Sequence, residues 1–237
     1  MQSIDGAWIE LEVKDGTRMR AWLARPEGPA KAPGLIVYQE AFGVNGHIQE
    51  VCEKFAAEGF VALAPEIYHR TAPGRVFAYD DMPAVRAQMG LMTLESIEAD
   101  ARAAAAWFAQ DKQAGGAALG AAGYCMGGRM AYLANTMVPL ACAASYYGGQ
   151  MHAFADRAPK LHGPQLLIWG GLDMAITWEQ RPLLLDALKD AKKPFIDMVI
   201  SDARHGFNCD MRPDVYSGAA ARQARALTLA FLHEHLG

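Results

Sequence analysis

Six consecutive residues, Gly123-Tyr124-Cys125-Met126-Gly127-Gly128, restrict this chain more than any others. The apolar run 117–122 precedes them, and a helical pattern from Arg129 to Met137 follows. Strand, glycine turn, cysteine and helix in so few residues demand a very sharp turn. Its apex residue is held in a strained backbone conformation, and the residues two positions either side have no room for a Cβ. Gly123 and Gly127 occupy those positions. A helix that starts beyond the apex aims free N–H groups and its positive dipole end at the apex side chain. Both features favour a thiolate and a neighbouring oxyanion. Taken alone, the stretch has two readings: a catalytic cysteine, or a packing turn carrying an inert buried thiol.

The rest of the chain supplies the frame. Trp8 to Val13 and Met19 to Ala24 alternate about Asp15-Gly16 and predict an antiparallel hairpin. Gly34 to Tyr38 and Phe60 to Pro65 are continuous apolar runs, as strands buried on both faces require. Ile48, Val51, Cys52, Phe55 and Ala56 share a helical face between them. The polar connection 66–81 has the length of a lid or pocket wall. Helices are expected over Pro83 to Leu91 and Leu94 to Gln110. Strands follow at Ala141 to Tyr147, Gln165 to Trp169 and Phe195 to Ile200, with helices at Trp178 to Ala191 and Val215 to His235. Alternation of this kind predicts an α/β fold: a mostly parallel central sheet with helices on both faces and an N-terminal antiparallel hairpin, in one domain spanning 1–237.

Composition narrows the function. The 237 residues are 52% hydrophobic, enough for one sizeable core. A net charge of −4 and a pI near 6.0 argue against nucleic-acid or anionic-membrane partners. No signal peptide or bilayer-spanning run is read, so a cytoplasmic protein is expected, and a monomer. Cys52, Cys125, Cys142 and Cys209 show no CxxC pairing, so neither a zinc site nor a disulfide framework is expected.

In such sheets function gathers at the carboxyl ends of the strands, where Glu40, Cys125, Asp173 and His205 fall. Asp173 alone reads equally as a turn residue, and His205 as a loop histidine. Jointly, each after a strand, they supply a nucleophile, a proton carrier and an orienting carboxylate. The order nucleophile, acid, histidine is that of the α/β-hydrolases. His47, His69, His152, His162, His233 and His235 lack this context and read as surface or packing residues.

At this point the chain resembles the dienelactone hydrolase family, the carboxymethylenebutenolidase-like branch of the α/β-hydrolase fold. The matching pieces are Gln39 to Asn45, the elbow Gly123 to Gly128, Gly171-Leu172-Asp173 and His205-Gly206-Phe207. The resemblance implies cleavage of an ester or lactone through a cysteine acyl-enzyme, with no metal or organic cofactor. It also implies that Glu40 contacts the resting thiol and helps to activate it when substrate binds. The backbone N–H groups of Ala41 and Met126 are the expected oxyanion hole. Family members acting on dienelactone bind the substrate carboxylate with arginines, one of them four residues after the histidine; here that position is Cys209. Arg75, Arg86, Arg204 and Arg212 are the available replacements, and Phe42, Tyr147 and Phe207 are candidate pocket walls. Two other readings stand beside this one: a general small-acyl carboxylesterase or thioesterase, and a non-catalytic ligand-binding protein of the same fold.

Overall fold

The apolar runs that read as doubly buried strands form the middle of the sheet. In the computed structural model, which describes residues 4–237, β3 (Gly34–Tyr38), β4 (Val61–Pro65), β6 (Cys142–Tyr146) and β7 (Gln165–Gly170) are buried along their whole length. With β5 (Leu119–Tyr124) between β3 and β6 and β8 (Phe195–Ile200) at one edge, they pair in parallel. The hairpin β1 (Ile4–Glu12) and β2 (Arg18–Pro26) joins antiparallel through β2 to β4. The order among the described residues is β1-β2-β4-β3-β5-β6-β7-β8. This is the expected α/β-hydrolase arrangement. The hairpin runs longer than the alternation predicts, because backbone pairing continues to Ile4 opposite Pro26 after the side-chain pattern ends.

Handedness sets the layers. From β3 the chain crosses to β4 on one side, and β5 then lies on the other side of β3. Right-handed crossovers therefore put α1 (Gly46–Ala56) and α4 (Met126–Asn135) on opposite faces. α3 (Leu94–Gln110) and α5 (Gln180–Asp190) follow crossovers in the α4 direction. α6 (Gly218–Leu236) returns to α1, where Arg225 pairs with Glu58 at 2.9 Å. The reversal at β3 and β5 opens a crevice at their carboxyl ends, and both Glu40 and Cys125 stand there. The buried apolar side chains form one contiguous cluster through both layers. No helix of the described residues is long and apolar enough to cross a membrane.

Helix starts follow their caps. Asn45 accepts from Ile48 N at the head of α1, Asp81 from Ala84 N at the head of α2 (Met82–Gly90), and Thr93 forms a reciprocal capping box with Ser96 on α3. α4 begins three residues earlier than its apolar pattern suggests, directly after Cys125, because two glycines hide its first turn from any periodicity argument. A 3-10 segment over Met151–Lys160 carried no sequence signal; it includes Pro159 and a kink at Phe154.

The connection 66–81 is a tied wall. Its backbone N–H groups at Ile67 and Phe77 donate to Gln39 Oε1 and Phe42 O, and the Tyr68 hydroxyl donates to Ala41 O at 3.0 Å. It braces the loop after β3 from behind. The anchor at its outer end is Arg70, which grips the buried Asp100 through two bonds of 3.0 and 2.8 Å. Burial pushes the Asp100 carboxyl up to about 6, and Arg70 only partly opposes it. A pair of this kind is costly to break from one side, since the remaining charge stays buried. Arg70→Ala is expected to cost about 3–5 kcal/mol in urea denaturation. The double variant Arg70→Met/Asp100→Leu should recover most of that loss.

Candidate active site

Cys125 stands at φ 55° and ψ −118°, in the strained region, as N-cap of α4. Contacts on both sides hold it. Its N–H donates to Tyr146 O at 3.0 Å, and Ser145 Oγ donates to Gly128 O at 2.6 Å. A Cβ on Gly123 would collide with the Gly127 carbonyl, and one on Gly127 with the carbonyls of Tyr38 and Gln39. The two glycines are therefore a consequence of how closely α4 approaches β5 and the end of β3.

Asp173, His205 and Cys125 meet. Cys125 Sγ lies 3.1 Å from His205 Nε2, and His205 Nδ1 lies 2.7 Å from Asp173 Oδ2. The other Asp173 oxygen accepts from Ala175 N and Ile176 N at 2.8 and 3.1 Å. The turn reading and the orienting reading of Asp173 thus hold together: one oxygen fixes the loop and the other fixes the imidazole. Burial acts to lower the pKa of His205, but the Cys125 charge and the Asp173 carboxylate outweigh it and push the value up to about 10.

Around the sulfur, the N–H groups of Ala41 and Met126 have no partner among the described residues, and both residues line the cavity that holds Cys125. Two convergent free donors beside a histidine-paired thiol are suited to hold a developing oxyanion. Glu40 is 1% exposed and lines the same cavity. Burial raises its pKa, against the pull of His47, Arg212 and His205 and of a 3.4 Å bond from the Tyr147 hydroxyl. The expected resting contact between Glu40 and the thiol is not formed: among the described residues the hydrogen-bond partner of Cys125 Sγ is His205. Glu40 is held instead beside Tyr147, His47 and Cys209.

The cavity encloses about 490 Å³. Phe42, Met82, Met89 and Met126 give it apolar walls, and Arg86, Arg129 and Arg212 give it positive charge. Of the arginines expected there, Arg86 and Arg212 line it. Arg75 does not; it stacks on Phe77 at 4.6 Å behind the loop. Arg204 is exposed outside. Tyr147 and Phe207 are fully buried rather than pocket walls; their rings pack 5.2 Å apart, with Tyr147 5.1 Å from the His205 ring. They fix the imidazole from behind.

Arg129 and Gln150 were not singled out from the sequence. The Arg129 guanidinium donates to Gln150 Oε1 at 2.6 Å, and Arg129 is 8% exposed. A signal for Arg129 existed, since a residue four beyond the apex lies on the same face of the helix that the apex caps. Gln150, in a left-handed conformation at the head of the 3-10 segment, offered none.

The dienelactone hydrolase family profile matches residues 19–236. A carboxymethylenebutenolidase of a Pseudomonas species is 33% identical over 227 residues, covering 94% of this chain and 93% of its own. A protein of Salmonella typhimurium proposed to be a carboxymethylenebutenolidase is 34% identical over 218 residues, 86% of this chain and 79% of its own. The crystal structure of a Klebsiella pneumoniae protein proposed to be a dienelactone hydrolase superposes with a TM-score of 0.86 at 29% identity, over 96% of this chain and 98% of that one. With a family match over nearly its whole length, the chain belongs to the dienelactone hydrolase family of hydrolases.

Proposed function

We propose that this protein hydrolyses small anionic esters or lactones through a Cys125 thioester. The observation that carries the reading is the unbroken line from Cys125 Sγ through His205 to Asp173, with distances of 3.1 and 2.7 Å. The thiolate attacks the acyl carbon, and the carbonyl oxygen takes the charge between the Ala41 and Met126 N–H groups. As the intermediate collapses, the C–O bond breaks and the leaving alkoxide takes the proton from His205. His205 then removes a proton from water, hydroxide adds to the thioester, and the thiolate departs. Glu40 tunes the charge beside the thiol through the shared cavity.

Arg86, Arg129 and Arg212 support an anionic substrate. They surround the cavity although Cys209 stands where an arginine is expected, which favours this reading over a general neutral esterase. An arginine bonded to a carboxylate contributes about 1.5–3 kcal/mol. Arg129→Met should therefore raise KM for a carboxylate-bearing lactone by about 10–100-fold, with p-nitrophenyl acetate hydrolysis changed far less. Equal losses on both substrates would reject the anionic reading.

Cys125→Ala is expected to abolish turnover and single labelling by iodoacetamide. Full activity in that variant would overturn the mechanism, and an inert thiol in the native protein would support a ligand-binding role instead.

The pH behaviour follows from His205. Its folded-state pKa, about 10, lies above the ordinary 6.5. The charged pair therefore stabilises the fold fully below about 6.5, and that contribution disappears as pH rises through about 10. Asp173→Asn removes one raising neighbour while burial remains, so the His205 midpoint should fall, as read by NMR titration of the imidazole. The decline in thermal stability across that pH window should shrink with it.

A further inference from the structure

Three buried side chains from distant segments converge beside the catalytic cavity. Glu40 follows β3, His47 sits in the first turn of α1, and Cys209 lies on the loop beyond His205. One donor atom of each lies within 4.8 Å of the other two. The residues are 1%, 1% and 0% exposed. Glu40 Oε2 and His47 Nε2 have no hydrogen-bond partner. An unpaired buried polar atom is costly, and two facing the same small space point to something held between them.

The surroundings are arranged as for a ligand set. His47 Nδ1 lies 3.1 Å from Asp210 Oδ1, which fixes the proton on Nδ1 and leaves the Nε2 lone pair free. Asn45 Nδ2 donates to the Tyr79 hydroxyl at 3.0 Å, and that hydroxyl lies 3.4 Å from Cys209 Sγ.

We propose that Glu40 Oε2, His47 Nε2 and Cys209 Sγ bind a divalent transition metal of the zinc type, with a fourth position open to water. Sulfur, imidazole and carboxylate donors suit such an ion, whereas magnesium and calcium take all-oxygen sets. Tetrahedral bonds of about 2.0–2.3 Å put donors about 3.3–3.8 Å apart, so the ligands close by about 1 Å on binding. Binding breaks the Cys209 S–H bond, forms a sulfur–metal bond and releases the proton to solvent; nothing is oxidised. Two anionic donors balance the dication, so the charge of Arg212, which Glu40 feels, faces a neutral cluster. Sequence spacing could not reveal the site, because its ligands lie on three segments with no CxxC or His-x-His pairing. The expectation of no metal is replaced by this proposal.

The test uses the full chain dialysed against Zn²⁺ and against Co²⁺. The native protein should take up one equivalent of Zn²⁺, and the Co²⁺ form should show a thiolate-to-cobalt absorption band in the near ultraviolet. Cys125→Ala should keep both, because the catalytic pair is not the site. Cys209→Ser should lose the band, His47→Gln should lose stoichiometric uptake, and Asp210→Asn should weaken binding by about 10–100-fold. Absence of the band in the native protein overturns the proposal. So does a band that survives Cys209→Ser but vanishes in Cys125→Ala, which would place the metal on the catalytic pair. If Cys209→Ser fails to fold by circular dichroism, the His47 and Asp210 variants decide. These readouts are independent of hydrolysis, so failure of the esterase reading leaves them intact.

Discussion

The first turn of α4 presses against the backbone at the end of β3. Gly127 lies so close to the carbonyls of Tyr38 and Gln39 that no side chain fits between them. That approach sets the neighbourhood of Ala41 and Met126, whose free N–H groups line one cavity although they are 85 positions apart in the chain. It also forces the strand-to-helix turn to close within one residue, which puts Cys125 at φ 55°. Backbone strain of this kind costs about 1–3 kcal/mol and persists only where the surroundings over-determine it. Here they do. Tyr146 O receives the Cys125 N–H, Ser145 Oγ reaches Gly128 O, and Tyr68 clamps Ala41 O while touching Met126 Sδ at 3.3 Å. The connection 66–81 thus belongs to the support of the proposed oxyanion donors, although none of it touches the cavity.

This explains what could be read from the sequence. The buried strands were legible because burial on both faces leaves an unbroken apolar run, and Gly34–Tyr38 begins and ends where that pattern does. Cys125, Asp173 and His205 were legible because a strand end is a defined place and the three follow strand ends in one order. Arg75, Tyr147 and Phe207 were misjudged for a common reason. Nearness to a strand end does not fix which way a side chain turns. Arg75 turned onto Phe77, while Tyr147, at φ 37°, and Phe207 turned into the core behind His205. His47 was read as a surface or packing residue, and it is buried; its partner, Asp210 Oδ1 at 3.1 Å, was not legible, since a single helical histidine carries no period from which to infer one.

Buried charge is handled in two ways in this molecule. Asp100 is matched by one arginine with two bonds, at a place that fastens a wall to α3. Glu40 is treated differently. It receives one long bond from Tyr147, keeps one oxygen unpaired, and stands among His47, Arg212 and His205. A carboxylate so placed contributes little to holding the fold and responds strongly to its neighbours' charges. It is the arrangement expected of a group whose protonation or ligation changes during function, whether substrate or an ion supplies the partner.

The same sensitivity accounts for how one histidine serves both halves of the proposed cycle. Beside a Cys125 thiolate, the leading influence that raises the pKa of His205 is the charge on the sulfur, with Asp173 second. When the thiolate forms, His205 holds the proton beside it as an imidazolium. An imidazolium near pKa 10 readily protonates an alkoxide, whose conjugate acid is far weaker. Once the sulfur is acylated, it carries no charge. The leading raising influence is then gone, while burial, which acts in the opposite direction, is unchanged. The pKa must fall in the acyl-enzyme, toward the range where a neutral imidazole takes a proton from water at neutral pH. Formation of the thioester thus converts the acid of the first step into the base of the second. Asp173 holds the ring in place throughout, through an oxygen that the Cys125 charge never touches.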